Sequence, residues 1–338
     1  MPSRLDIAIR RYRRLVNQRD RAALLRLMQA YTEALAELRP LIALAQAEAL
    51  RLGPAATADD IVALLRYQEL ERQLVAALQR LGALTAREIA SGQAFMVSVA
   101  TQAALGLAEA QGGARIVQRW VRLPTSAMED LIGRLHDGQS LDRYVTRLTD
   151  AARDGIAREL QRGLALGRHP TAVADAVTKA FNVSRHRALS AARTEMLSAY
   201  RSALIRAYQA NADVLDGWRW VSALHRSCAA CVAMHGRVFP LSESWMKAHV
   251  RCRCAAVPVV RGVEVPFETG EAWFARQDAG YQDRVLRGSA AGELYREGRV
   301  RLTDFVHLER DRRWGDAYVQ GSLDEAKARA ERRARGAA

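Results

Sequence analysis

The sequence predicts a mainly α protein: helical N-terminal and central regions, a small α+β zinc-binding unit toward the C-terminus, and a helical tail. Three observations lead there. Ala, Leu and Arg dominate the 338 residues while aromatics are only 6%, which favours helix over strand. Apolar residues recur at helical spacing through most of the first 210 positions. All four cysteines fall between Cys228 and Cys254, in the one stretch whose pattern turns to short strands.

The elements follow in order. From Leu5 to about Leu50 the spacing is helical, with Pro40 expected to break or kink the segment and Gly53-Pro54 to end it. A second helix should open at Asp59-Asp60, acids suited to a helix N-terminus, and run to about Leu81. A third follows through TAREIASGQAFMVSVATQAALGLAEA, and Gly112-Gly113 stops it. Their Ala-rich faces suit close helix packing, and a docking surface for another protein is the sharper alternative. Shorter helices are expected over 125–211: one after Ser140 that Gly167 closes, one in HPTAVADAVTKAF, a turn at Phe181-Asn182-Val183, and a long helix capped by Ser184. At Gly217 the texture changes. WRWVSAL reads as a strand with Trp218 and Trp220 on one face, and RVFP and AAVPVV read as two more. The organisation expected is thus 1–120 helical, 121–215 helical, 216–266 a small Cys/His metal-binding unit, and 267–338 a helical tail.

Composition bounds the partners. With 49% hydrophobic and 26% charged residues the chain is that of a folded globular protein. A formal net charge of +14 favours polyanions, double-stranded DNA first, and also suits an acidic protein surface; arginines solvated on helix faces are the plain alternative. No signal peptide or membrane span is expected, because MPSRLDIAIRRYRR is followed by no apolar run. Four cysteines in so long a chain make no disulfide scaffold, so a reducing, cytoplasmic compartment fits.

The cysteine window carries the chemistry. Cys228-x2-Cys231 is followed after about 20 residues by Cys252-x-Cys254, a spacing close to zinc-site patterns. A tight turn brings the thiolates of Cys-x2-Cys together, and residues two apart in an extended chain face one side. His235 and His249 lie in the same window, so six side chains compete for four positions. Two sets remain open: all four cysteines, or His235, His249, Cys252 and Cys254. A closed four-ligand Zn²⁺ site is structural, and its binding energy becomes folding energy. No catalytic residue is assigned.

Several of these motifs occur together in a known order. AARTEMLSAY (Ala191–Tyr200), WRWVSALHRSCAACVAMHGRVFP and HVRCRCAAVP resemble the phage head morphogenesis proteins similar to the Mu F minor head protein. The matching positions are Arg193-Thr194-Glu195, Trp220, His235-Gly236, His249, Cys252-Arg253-Cys254 and Pro258. The tail adds Gln282, Val285-Leu286, Gly288, Tyr295, Gly298 and Asp304, with Arg287 interrupting the usual Leu-Gly. The resemblance covers about residues 150–310. It implies a virion protein of the phage head near the portal vertex, assembled in the host cytoplasm. Portal or major capsid protein would be its partner, with a part in procapsid assembly and DNA packaging or ejection. It also favours the mixed His/Cys ligand set, against the spacing argument. Two other readings are weaker. A His-Asn-His nuclease lacks an Asn between Gly236 and Arg251. A toxin-related ADP-ribosyltransferase would need Arg193 and Glu195 on one side, and residues two apart on a helix diverge.

Overall fold

In the computed structural model, residues 3–52, 57, 59–60, 63–166, 170–243, 246–310 and 315–336 are described. The expected Gly53-Pro54 and Gly167 boundaries lie outside them.

Helix α1 runs Arg4–Arg51 without interruption. Its buried side chains, Leu5, Tyr12, Val16, Ala23, Leu27, Tyr31, Ala34, Leu38, Ile42, Ala45 and Ala49, repeat at steps of three, four and seven, so one stripe faces inward over the whole length. Ser3 caps its start: Ser3 Oγ accepts from the Asp6 N–H at 3.0 Å, and Asp6 returns the bond to the Ser3 N–H at 3.0 Å. The expected break at Pro40 does not occur, because Leu38 and Ile42 on either side are both buried in register. Helix α2, Leu65–Gly112, replaces the two helices expected there. Asp59 and Asp60 form a separate short helical stretch, where Thr57 Oγ1 accepts from the Asp60 N–H at 3.2 Å.

Helices α3 (Ala114–Arg119), a 3-10 turn (Thr125–Leu131), α4 (Leu141–Ala165) and α5 (Pro170–Gln209) follow. The expected turn at Phe181-Asn182-Val183 is helical, and Ser184 is buried inside α5 rather than capping it. Phe181 is the reason: its ring packs edge-on to Tyr31 at 5.6 Å, and that contact holds only if the helix continues.

The chain groups into two compact units that are not consecutive segments. One comprises 17–94 and 132–196; the other comprises 1–16, 95–131 and 197–338. The regular elements of the first are helices, with one isolated bridge between Arg134 and Ser140. Gly82 lets α2 approach α4, since a Cβ there would lie 2.7 Å from Thr149 Oγ1. Arg26 binds Glu88 bidentately, with both N–H···O distances at 2.7 Å.

The second unit holds the strands. β1 (Leu215–Val221) lies between β2 (Val238–Phe239) and β3 (Ala255–Val260), antiparallel to both. Trp218 and Trp220 are both buried, as the alternation predicts, and Trp218 stacks on Phe239 at 4.4 Å. A short helix α6 (Ala229–Met234) follows β1. The tail contains α7 (Gly270–Ala275), α8 (Ala279–Leu286), α9 (Ser289–Arg296), a 3-10 turn (Leu302–Phe305), a hairpin of β4 (Val306–Glu309) with β5 (Ala317–Gln320), and α10 (Leu323–Gly336). The tail is thus helical with a small hairpin that the periodicity did not reveal. Ala229, Val232 and Ala233 of α6 join Trp273, Phe274, Leu302 and Phe305 in one apolar cluster, so the helix after β1 is wedged between the cysteine loop and the tail. No described helix is long and apolar enough to cross a membrane.

Candidate metal centre

Two short stretches build the centre, and both lie in the second unit. Cys228 is the N-cap of α6 in an extended conformation, and Cys231 sits in the first turn of that helix. The turn closes with the Val232 N–H donating to Cys228 O at 3.0 Å, which turns both thiols to the same side. The other stretch leads into β3. The Cys252 N–H donates to His249 O at 3.0 Å across a turn in which Arg251 takes φ 63°, and Cys254 directly precedes the strand. A left-handed arginine costs about 1–2 kcal/mol relative to a glycine, so the loop is held by what it packs against.

The donors converge. His249 Nε2 lies 3.1 Å from Cys231 Sγ and 3.3 Å from Cys228 Sγ, and Cys231 Sγ lies 3.6 Å from Cys252 Sγ. Cys228, Cys231 and His249 form one group of donor atoms within 4.8 Å of one another, and Cys231, Cys252 and Cys254 form a second that shares Cys231. His249 Nδ1 lies 2.9 Å from Val250 O, which fixes the ring with Nε2 toward the sulfurs. The Cys254 N–H donates to Cys252 Sγ at 3.4 Å. Cys231, Cys252 and Cys254 are buried.

His235 is in neither group of donors. It ends α6 at the opposite end from Cys228, and six helical residues span about 9 Å. Its Nδ1 accepts the Ser222 N–H at 2.9 Å, and its ring packs against Phe267 at 5.0 Å. Burial, with help from the charges of Arg13 and Arg219, lowers its pKa to about 4. The His-Gly pair serves the backbone instead. Gly236 takes φ 91° and donates to Trp220 O at 2.9 Å, while His235 O accepts the Gly270 N–H at 3.0 Å. That pair ties β1, α6 and the start of α7 together.

The electrostatics are those of a thiol cluster that cannot ionise completely by itself. A hydrogen bond from Cys231 first, and His249 beside it, hold Cys228 down to about 4. Cys252 is held low by its hydrogen bond with Cys231. Cys231 is pushed up by its hydrogen bonds to Cys228, Cys252 and Cys254, and Cys254 chiefly by burial. Burial disfavours the cationic form of His249, but its bond to Cys228 and the charges of Cys252 and Cys228 prevail and raise it to about 9. A divalent ion would remove this competition, since bound thiols are deprotonated.

Two arginines that the motif analysis passed over support the cluster. Arg201 of α5 is 3% exposed; its Nε donates to Cys254 O at 2.9 Å and its Nη2 to Cys252 O. Arg13 of α1 donates from Nη2 to Val221 O at 3.2 Å. Arg201 is marked in sequence only as a charge near the short apolar run Ala203–Ile205, and Arg13 lies in the arginine-rich stretch Arg10–Arg14, where nothing singles it out. Arg193 and Glu195, by contrast, are structural. Arg193 Nε donates to both carboxylate oxygens of Asp20 at 3.0–3.1 Å, and Glu195 is 1% exposed and paired with His136.

The tail residues singled out by sequence also have local structural roles. Gln282 Nε2 donates to Phe274 O at 3.0 Å. Asp304 caps its 3-10 turn by accepting the Arg301 N–H at 2.8 Å and binds Arg333. Arg287 ends α8 with φ 66°, and the Gly288 N–H closes the turn on Asp283 O at 2.8 Å.

The fold is helical, and its cluster of four thiols and one imidazole offers soft donors of the kind that could hold a metal such as zinc. Residues 154–257 match the family model of Phage Mu protein F like protein, so that stretch is similar to this family. The matched stretch runs from within α4 into β3 and contains Arg193-Thr194-Glu195, His235-Gly236 and every candidate donor. Neither a curated protein nor a solved structure matches the chain.

Proposed function

We propose that this is a phage minor head protein whose C-terminal clasp is held by one structural Zn²⁺. The carrying observation is the meeting of Cys228, Cys231, His249, Cys252 and Cys254 within the stretch that matches the head-protein family. Cys228, Cys231, His249 and Cys252 are the four donors we assign. In a tetrahedral zinc site the sulfurs are about 3.8 Å apart, and the nitrogen is about 3.5 Å from each sulfur. Three of the six distances among these four run from 3.1 to 3.6 Å, and Cys252 joins the other three through Cys231, so binding would draw Cys252 toward Cys228 and His249. Cys254 stands beside them, close to Cys231 and Cys252. When bound, the ion cross-links the α6 turn to the segment entering β3. His249 is oriented by Val250 O, Cys252 by the Cys254 N–H, and the surrounding backbone by Arg201.

Four protein donors leave no position for a reacting water, so the reading is a scaffold and not an enzyme. The protein would act in the phage head at the portal vertex, after assembly in the host cytoplasm, and assist procapsid assembly and DNA packaging or ejection. Portal or major capsid protein is the partner, and the charge of +14 suits salt-sensitive contact with the phosphates of double-stranded DNA. Co-expression with portal and major capsid protein tests this directly. The chain should enter proheads in few copies and carry one zinc per chain by elemental analysis. Exclusion from proheads, or nuclease activity with Mg²⁺ on plasmid DNA, would reject the scaffold reading.

A further inference from the structure

We propose that the groove between α2 and the segment after α3 docks an extended segment of a partner protein, which pairs with the free backbone edge at Arg122 and seats an apolar side chain. The inference rests on the scaffold reading above and names the surface on which that partner would sit. The groove holds about 360 Å³, toward the lower end of the ~300–1,000 Å³ of small-molecule sites, which suits a side chain better than a large cofactor. All its lining residues belong to one compact unit. Thr101, Leu105 and Glu109 form its α2 wall, spaced by one helical turn and therefore on one face. Tyr12 closes one side: its Oη donates to Gln102 O at 3.2 Å, and a Cβ on Gly106 would lie 2.4 Å from that hydroxyl. Trp120, Arg122 and Leu123 supply the other wall.

That second wall is a strand without a sheet. Trp120 leaves α3 in an extended conformation, and residues 121–124 run on without turn or bend. Asn211 of the same unit is fully buried and holds one edge of the segment. Its Oδ1 accepts the Val121 N–H at 2.7 Å, and its Nδ2 donates to Val121 O at 3.0 Å. In an extended chain the next residue turns its N–H and C=O to the opposite edge. Among the described residues nothing bonds those two groups of Arg122. An unpaired edge is a template for one more strand, whose alternate side chains then find pockets beside it. The charges fit the same occupant. Glu109 and Arg122 are both exposed, and among the described residues neither has an ion-pair partner. A carboxylate on one wall and a guanidinium on the other suit a segment with a basic and an acidic residue flanking an apolar anchor. Nucleic acid fits poorly, because Glu109 repels phosphate and Arg122 is the only cation among the described lining residues.

Co-expression of the full chain with portal and major capsid protein tests this, with copies per purified prohead counted and the fold of each variant checked by circular dichroism. Arg122→Pro removes the N–H donor and suits an extended course, and it should lower incorporation by about tenfold. Leu105→Asp places a charge in the groove and should do the same. Arg122→Ala keeps the N–H and should cost no more than about threefold. Folded Arg122→Pro and Leu105→Asp variants that enter proheads like the wild type would overturn the groove and leave the scaffold reading standing. Exclusion of the wild type would overturn both. If those variants do not fold, a photoreactive benzoylphenylalanine at the exposed Gln102 decides alone. Irradiated proheads should then yield a cross-link from that position to portal or capsid protein. A cross-link only to a second copy of this chain, or none in proheads that contain the variant, overturns the proposal.

Discussion

Glu195 meets His136 through both carboxylate oxygens: Oε2 accepts the backbone N–H at 2.8 Å, and Oε1 lies 2.9 Å from Nδ1, with both side chains buried. The glutamate of the Arg-Thr-Glu segment therefore holds the loop before α4 against α5 within the helical unit. Glu195→Ala removes both of these contacts and should cost about 2–4 kcal/mol of stability. Urea unfolding at neutral pH measures this. A variant as stable as the wild type would mean that the carboxylate is kept for chemistry instead.

The metal centre separates the side chains by their roles. Cys231→Ser and Cys252→Ser should lower zinc content by at least tenfold after dialysis. His249→Ala should weaken retention strongly, and Cys254→Ser should retain zinc. His235→Gln should bind zinc like the wild type. Loss of zinc from Cys254→Ser but not from His249→Ala would reassign the fourth donor to Cys254.

His235 gives stability a pH dependence of definite sign. It stays neutral in the folded protein down to about pH 4 but takes up a proton near 6.5 when unfolded. Between those values the unfolded chain binds more protons, so stability falls as pH drops from 6.5 toward 4 and is fully present above 6.5. The whole contribution is at most about 3 kcal/mol. The slope should be shallower in His235→Gln than in the wild type, which isolates it from acid release of the metal. Equal slopes would place the titration elsewhere.

Gly270 admits no side chain. A Cβ there would lie 1.7 Å from Val232 O, because the start of α7 lies directly against α6. Gly270→Ala should cost about 3 kcal/mol or more and disturb the turn after His235. Thermal melting with and without zinc measures both effects.

Arg287 holds a left-handed turn that glycine holds without strain. Arg287→Gly should therefore stabilise the tail by about 0.5–1 kcal/mol, less the backbone entropy that glycine loses on folding. Denaturant midpoints compare the two, and a destabilised variant would show that the arginine side chain contributes contacts that outweigh the strain.

The sequence by itself determined the mainly helical class, the three strands around the cysteine window, and the confinement of the candidate metal donors to that window. These are local properties. Helical spacing, alternation at WRWV and AAVPVV, and the proximity of Cys-x2-Cys need only a few consecutive residues to be read. Breaks were overcalled at Pro40 and Phe181 because a local signal does not know what lies opposite. Phe181 continues its helix because Tyr31, 150 positions earlier, meets its ring. The β4–β5 hairpin was missed because its four-residue strands carry too little pattern.

Only the tertiary structure sets the two histidines apart. His235 lies four residues after Cys231 and His249 three before Cys252, but α6 carries His235 away from the thiols and the Arg251 turn brings His249 onto them. It also brought in Arg13 and Arg201 from helices far along the chain, since a guanidinium can donate to a backbone carbonyl of any element that packs against its helix.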